Sequence, residues 1–398
     1  MRKKVPSAVW FLGVVSFLND TASEMLYPIM PIFLTQVLGA PVFVVGIIEG
    51  IAEGGASFFK TVFGYWSDRL QKRKVFVVAG YGASTISKVI IALAYTWPIV
   101  LLGRIVDRVG KGARTGARDA LLLEATDETN KGFIFGFHRT MDTAGAVVGP
   151  LLALVLLWVF HNNIRLVLYV AVVPALAALV FFAWVKEAKK QYQTTKTKLT
   201  LAVKGFPPKL KLFLVGLCLF SLGNSSDSFL ILRAKDLGLS LTMVIAAYIV
   251  YNIVYAAASV PAGLLADKIG PKKVFIAGIL IFALVYLGFA YNTHASTVWV
   301  LFAVYGFYIA LTDGVSKALV GHFTPPEQAG VVYGVLGTVT SLFTLLASVL
   351  GGFLWSSVSP TATFLFAVVC ALLSLVIFLF LKTDSPVLIE VARPGQNR

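Results

Sequence analysis

The sequence predicts an all-α membrane protein, with twelve transmembrane helices arranged in two pseudo-symmetric six-helix bundles. Three observations predict it. First, the 398 residues are 58% hydrophobic and only 13% charged, with a mean hydropathy of +0.84, a balance that water-soluble domains do not show. Second, the stretch Gly64-Tyr65-Trp66-Ser67-Asp68-Arg69-Leu70-Gln71-Lys72-Arg73-Lys74 has an echo at Gly263-Leu264-Leu265-Ala266-Asp267-Lys268-Ile269-Gly270-Pro271-Lys272-Lys273. Gly64 and Gly263, Asp68 and Asp267, and Val75-Phe76 and Val274-Phe275 are all separated by 199 positions. The register holds downstream, where Ala120, Gly132 and Gly136 precede Ala318, Gly330 and Gly334 by 198. Third, Lys and Arg crowd the N-terminus, these two loops and the segment from Lys186 to Lys211, while the alternate loops carry only Arg165 and Lys235. A formal charge of +15 placed this way is a topology signal and not a nucleic-acid footprint, and it puts both termini in the cytoplasm.

Taken in order, the apolar runs predict helices at about 8–36, 42–66, 75–96, 98–124, 132–160 and 164–186, then at about 210–233, 241–266, 273–291, 297–320, 329–356 and 360–382. The first run is a span and not a cleaved leader, since Asn19, Asp20 and Glu24 interrupt it and no small-residue cleavage site follows. Pro28 and Pro31 must bend it. Gly46, Gly50 and Gly54 let the second span approach a neighbour closely, as do Gly145 and Gly149 on the fifth, which Pro150 also makes kinkable. Between the halves lies a Lys/Thr/Gln-rich stretch ending in Phe206-Pro207-Pro208, too polar to fold alone. The expected division is therefore a bundle at 1–186, a cytoplasmic linker at 187–209 and a bundle at 210–398.

Charges inside spans are costly unless they face protein or water, so they mark function or compensation. In the fourth span Arg104, Arg108, Lys111, Arg114 and Arg118 recur every three or four residues, forming one stripe that must face inward. Arg108, about 16 Å along the helix from Trp97 at about 1.5 Å per residue, falls near the midplane. Arg104 and Arg108 are candidates for substrate contact or coupling, whereas Arg114 and Arg118 suit structural pairing with acids such as Asp68, Glu24 or Asp107. Asp20 with Glu24, and Glu49 with Glu53, each lie one turn apart on a helix face. Each pair either handles protons or neutralises the arginine stripe, and Asp142 joins the candidates for coupling. In the second half, Asn224, Asp227 and Ser228 form a polar band on the seventh span, and Tyr248, Tyr251, Asn252 and Tyr255 a polar aromatic face on the eighth. Such a face either holds an amphipathic ligand or packs helices. Asp313 and Lys317 are spaced to compensate each other.

The two loops at Gly64 to Lys74 and Gly263 to Lys273 resemble the loop signature of the major facilitator superfamily, and the likeness extends over essentially the full chain. It implies gating roles for Gly64, Asp68 and Asp267, with Arg69 and Arg118 as companions. Gly136, Gly145, Gly149 and Pro150 are spaced like the fifth-helix signature of the proton-coupled drug antiporter branch. Arg108-Val109-Gly110-Lys111-Gly112 is similar to that branch's fourth-helix motif, which implies a coupling role for Arg108. Ala153 and Lys111 depart from the two patterns. The resemblance implies a multi-pass carrier of a bacterial inner membrane.

The expected function is proton-coupled secondary transport, with export of a small organic solute that is anionic, zwitterionic or amphipathic. Uptake by proton symport, a non-transporting receptor and a lipid flippase are the alternatives. The expected partners are the substrate, protons and the bilayer, with no nucleic acid, and a monomeric state. No Gly-x-x-x-x-Gly-Lys-Ser/Thr loop is present, and the scattered His138, His161, His294 and His322 with Cys218 and Cys370 have no metal-ligand spacing. Neither an enzyme activity, a cofactor nor a metal is expected.

Overall fold

A computed structural model describes residues 5–70, 73–124, 131–185, 208–321 and 329–381. Most of the expected linker lies outside the described residues, as do the surroundings of Gly64 and the side chains of Asp68 and Arg69. Helices α1 (Ser7–Leu26), α2 (Val42–Leu70), α3 (Arg73–Ala92), α4 (Trp97–Glu124), α5 (Lys131–Val159) and α6 (Ile164–Phe182) make the first half. The second comprises α7a (Pro208–Gly223) and α7b (Ser228–Asp236), then α8 (Leu241–Ile269), α9 (Pro271–Tyr291), α10 (Thr297–Gly321), α11 (Ala329–Ser357) and α12 (Pro360–Phe380). Among the described residues nine spans are long and apolar enough to cross a membrane by composition. The ones this leaves out are α1, α2 and α4, which carry most of the in-span charges of the first half.

The duplication reappears as packing. In the first half α3 packs on α4, α1 on α5 and α6, α2 on α4, and α3 on α6. The second half repeats the set with α9 on α10, α7a on α11 and α12, α8 on α10, and α9 on α12. The basic loops have a local task that is also duplicated. Lys74 Nζ donates to the Val185 carbonyl (2.7 Å) just beyond α6, and Lys272 Nζ donates to the Leu381 carbonyl (2.6 Å) just beyond α12. Each ammonium thus satisfies a carbonyl left over at a helix C-terminus. At the opposite end, Asn163, Ser240 and Ser359 cap α6, α8 and α12 by accepting from the backbone N–H three residues on.

Two of the expected spans are broken, at equivalent places. The first stops at Leu26 before Pro28, resumes at Met30–Ile32, and ends in a π-helical turn at Phe33–Val37. The seventh, expected to run unbroken to residue 233, stops at Gly223 and restarts at Ser228. No proline interrupts it. Instead the Ser226 N–H leaves the helical ladder to donate to Ser348 Oγ of α11 (3.1 Å), and the Ser228 N–H donates to Ser226 Oγ (3.3 Å). Short hydroxyl side chains compete well for backbone groups, which makes such a break affordable.

The halves meet chiefly where α2 packs on α11, α5 on α8, and the distal part of the first span on α7b. These seams lie toward the end away from the termini. Gly50 would place a Cβ 2.9 Å from the Leu345 carbonyl, Phe43 N donates to Ser356 Oγ (2.9 Å), and Thr242 Oγ1 donates to Asn162 Oδ1 (3.2 Å). Among the described residues, the contacts between the halves gather at that end.

Candidate functional site

Between the halves the segments beyond the two breaks pack on each other, Met30–Ile32 on α7b, and Tyr27 of the first break has its ring 5.7 Å from that of Tyr248 on α8. Toward the termini the facing walls of the two halves differ in chemistry. The wall from the first half is ionic and is organised by the arginine stripe of α4. Arg104 Nη2 donates to Glu49 Oε1 of α2 at 2.6 Å, and the two side chains are 8% and 1% exposed. Arg108 Nη2 donates to Asp107 Oδ2 (2.5 Å), while Asp107 Oδ1 accepts from Ser84 Oγ (2.9 Å) and lies 4.0 Å from Lys88 Nζ on α3. Arg114 donates to Ser84 Oγ, stacks over the Tyr81 ring at 4.7 Å and lies 3.9 Å from Asp20. Arg118 reaches Asp119 (3.0 Å), Asp142 (3.7 Å) and Ser16 Oγ (3.2 Å), and His138 Nδ1 sits 3.5 Å from the same Asp142 carboxylate.

The stripe therefore faces protein as its spacing requires, and one acid of each expected pair, Asp20 and Glu49, neutralises it. Glu49, Asp20, Asp119 and Asp142 take part together with the expected Asp107. Glu24 and Glu53 stand apart: neither has an ion pair or hydrogen bond among the described residues, and Glu53 is exposed. Lys111 is also exposed.

The wall from the second half is aromatic. Tyr248 and Tyr251 stand edge to face at 5.3 Å, and Tyr251 lies 5.2 Å from Tyr305 of α10. Tyr305 donates its hydroxyl to Asp227 Oδ1 at 2.6 Å, so the acid at the α7 break is tied to the cluster. Tyr308 and Tyr286 continue it at 5.2 and 6.4 Å from Tyr305. Asn224 lies in the break, and Asn252 Nδ2 donates to the Tyr248 carbonyl (3.0 Å) of its own helix. Tyr286, Tyr305 and Tyr308 are absent from the sequence expectation. The last two repeat the three-residue spacing of Tyr248 and Tyr251, a signal present but unused.

The expected gating residues fall in three places. Gly145 and Gly149 face α1, where a Cβ on Gly149 would lie 2.7 Å from both Glu24 Cβ and the Thr21 carbonyl, so they pack within the first half. Pro150 follows them inside α5. Asp267 is exposed in the last turn of α8, and with Tyr255, Ser259 and Asp313 it lines a groove between α8 and α10. The Tyr255 hydroxyl donates to Asp313 Oδ2 (2.9 Å); the side chain of Lys317, its expected partner, lies outside the described residues.

Duplicated six-helix bundles, with broken helices at matching positions and contacts between the halves gathered toward one end, have the plan of a secondary transporter. A profile of the Major Facilitator Superfamily matches residues 12–232 and 212–397, and the chain belongs to that family. It is 36% identical over 386 residues to an uncharacterised transporter of the same superfamily from Methanocaldococcus jannaschii, covering 95% of this chain and 96% of that protein. It is 22% identical over 366 residues to the class E tetracycline resistance protein of Escherichia coli, covering 87% and 88%. Among solved structures, a variant of the nucleoside transporter NupG superposes with a TM-score of 0.80 at 13% identity, over 94% of this chain and all of that one.

Proposed function

We propose that the protein exports a small organic solute in exchange for protons across the cytoplasmic membrane, acting as a monomer with both termini inside. The moving bodies are residues 1–186 and 210–398, joined by the linker at 187–209. The observation that carries this reading is the placing of the contacts between the halves, which among the described residues gather at the end away from the termini, as expected of a chamber that is shut there and opens toward the termini. On the positive-inside reading that open mouth is cytoplasmic, where an exporter must load. The relative named for tetracycline resistance supports the same direction.

Proton exchange needs carboxylates that can take up a proton from the chamber without stranding a buried cation. Glu24 and Glu53 meet that condition, and Glu49, Asp107 and Asp142, already holding Arg104, Arg108 and Arg118, do not. Arg108, by way of Asp107, has a positioning role beside them. The test is flux in reconstituted vesicles carrying an imposed pH gradient. Glu24→Gln and Glu53→Gln each abolish gradient-driven transport. Unchanged gradient-driven flux in the double variant removes both acids as carriers.

A further inference from the structure

The two arginines that make an anionic substrate attractive from sequence are occupied. Arg104 is held by Glu49 at 2.6 Å and Arg108 by Asp107 at 2.5 Å, so each presents a compensated pair to a ligand and not a free positive charge. The carboxylates nearer the closed end are placed differently. Glu24 and Glu53 have no partner among the described residues, and Asp227 accepts a phenol hydroxyl but meets no cation there. Asp227 is within electrostatic range of Glu53 and Glu49, and Glu24 of Tyr248 and Tyr251. Lys111, Arg108 and Arg104 lie within range of Glu24, and Lys111 within range of Glu53; Arg108 and Arg104 already hold Asp107 and Glu49, which leaves Lys111 as the cation that faces these carboxylates without an ion pair of its own among the described residues. Glu49 adds a buried oxygen, Oε2, that receives no hydrogen bond.

The aromatic wall points the same way. Tyr27, Tyr248 and Tyr251 follow one another at ring separations of 5.7 and 5.3 Å, and the face of each ring carries the negative end of its quadrupole. Ring faces and uncompensated carboxylates around one space attract an organic ammonium and repel an anion. We propose that the closed end of the chamber binds an organic cation, held between the rings of Tyr27, Tyr248 and Tyr251 and the carboxylates of Glu24, Glu53 and Asp227. This rests on the chamber being the substrate site of the carrier.

The test is equilibrium binding to the full chain in lipid nanodiscs, using labelled tetraphenylphosphonium and its charge-inverted counterpart tetraphenylborate. The phosphonium binds saturably and the borate does not. Glu53→Gln and Tyr251→Leu each weaken phosphonium binding about tenfold, as expected for loss of one desolvated charge or ring contact, whereas Glu53→Asp and Tyr251→Phe retain it. The proposal is overturned by saturable borate binding of equal or greater affinity, by phosphonium binding that survives Glu24→Gln/Glu53→Gln, or by folded protein that binds no phosphonium. Cross-linking of the seam between α2 and α11 reads the carrier separately. A chamber that opens at both ends yet takes only the borate keeps the carrier and removes the cation.

Discussion

Arg104 and Glu49 illustrate what a charge inside a span is for in this protein. Neither could be buried alone, and together they tie α4 to α2 at 2.6 Å with 8% and 1% of the side chains exposed. Arg104→Leu strands the Glu49 carboxylate and lowers stability by about 3–5 kcal/mol, seen as a lower melting temperature of the purified protein. The double variant Arg104→Leu/Glu49→Leu recovers most of that loss, because no unpaired charge is left. Glu53→Gln, removing an acid with no partner, leaves the melting temperature unchanged. The stripe itself was legible in the sequence, since spacing of three and four residues on one helix needs no tertiary knowledge. Which acid each arginine takes was not legible, because that depends on how α1, α2 and α3 pack around α4. Asp107 takes its neighbour Arg108 and also collects Ser84 and Lys88.

At the scale of elements the instructive pair is α1 and α7. Pro28 and Pro31 announced the first break, whereas the second has no proline and depends on Ser348 of α11, a residue 122 positions away, to receive the Ser226 N–H. A polar run at Asn224 to Ser228 was visible, but polarity alone does not distinguish a lining turn of helix from an interruption. The glycines of α2 were more readable. Gly46, Gly50 and Gly54 share a face, and α11 comes so close that a Cβ on Gly54 would lie 2.7 Å from Leu345 Cδ1. A side chain at Gly46 would meet the Ser348 carbonyl and Gly352, so it penalises only the conformation in which this seam is shut. Gly46→Val therefore shifts the population toward opening at this end. The measurement is labelling of a Phe43→Cys reporter by an impermeant maleimide, which is faster in the Gly46→Val background than without it.

For the whole molecule, the described contacts between the halves gather at one end, and that asymmetry is what a carrier needs. If rocking about the central chamber is the transport cycle, the α2 and α11 seam must part once per turnover, and holding it shut must stop transport without disturbing either bundle. Phe43 N and Ser356 Oγ are 2.9 Å apart across the seam, close enough for cysteines at the two positions to approach disulfide geometry. In a background with Cys218 and Cys370 replaced by Ser, both of which are free thiols, oxidation of Phe43→Cys/Ser356→Cys abolishes counterflow and reduction restores it. Binding from the open mouth survives the oxidation, since the chamber stays accessible toward the termini. Full counterflow through the oxidised, cross-linked protein would mean that solute passes without this seam opening, and the two halves would then be a fixed frame around some other path.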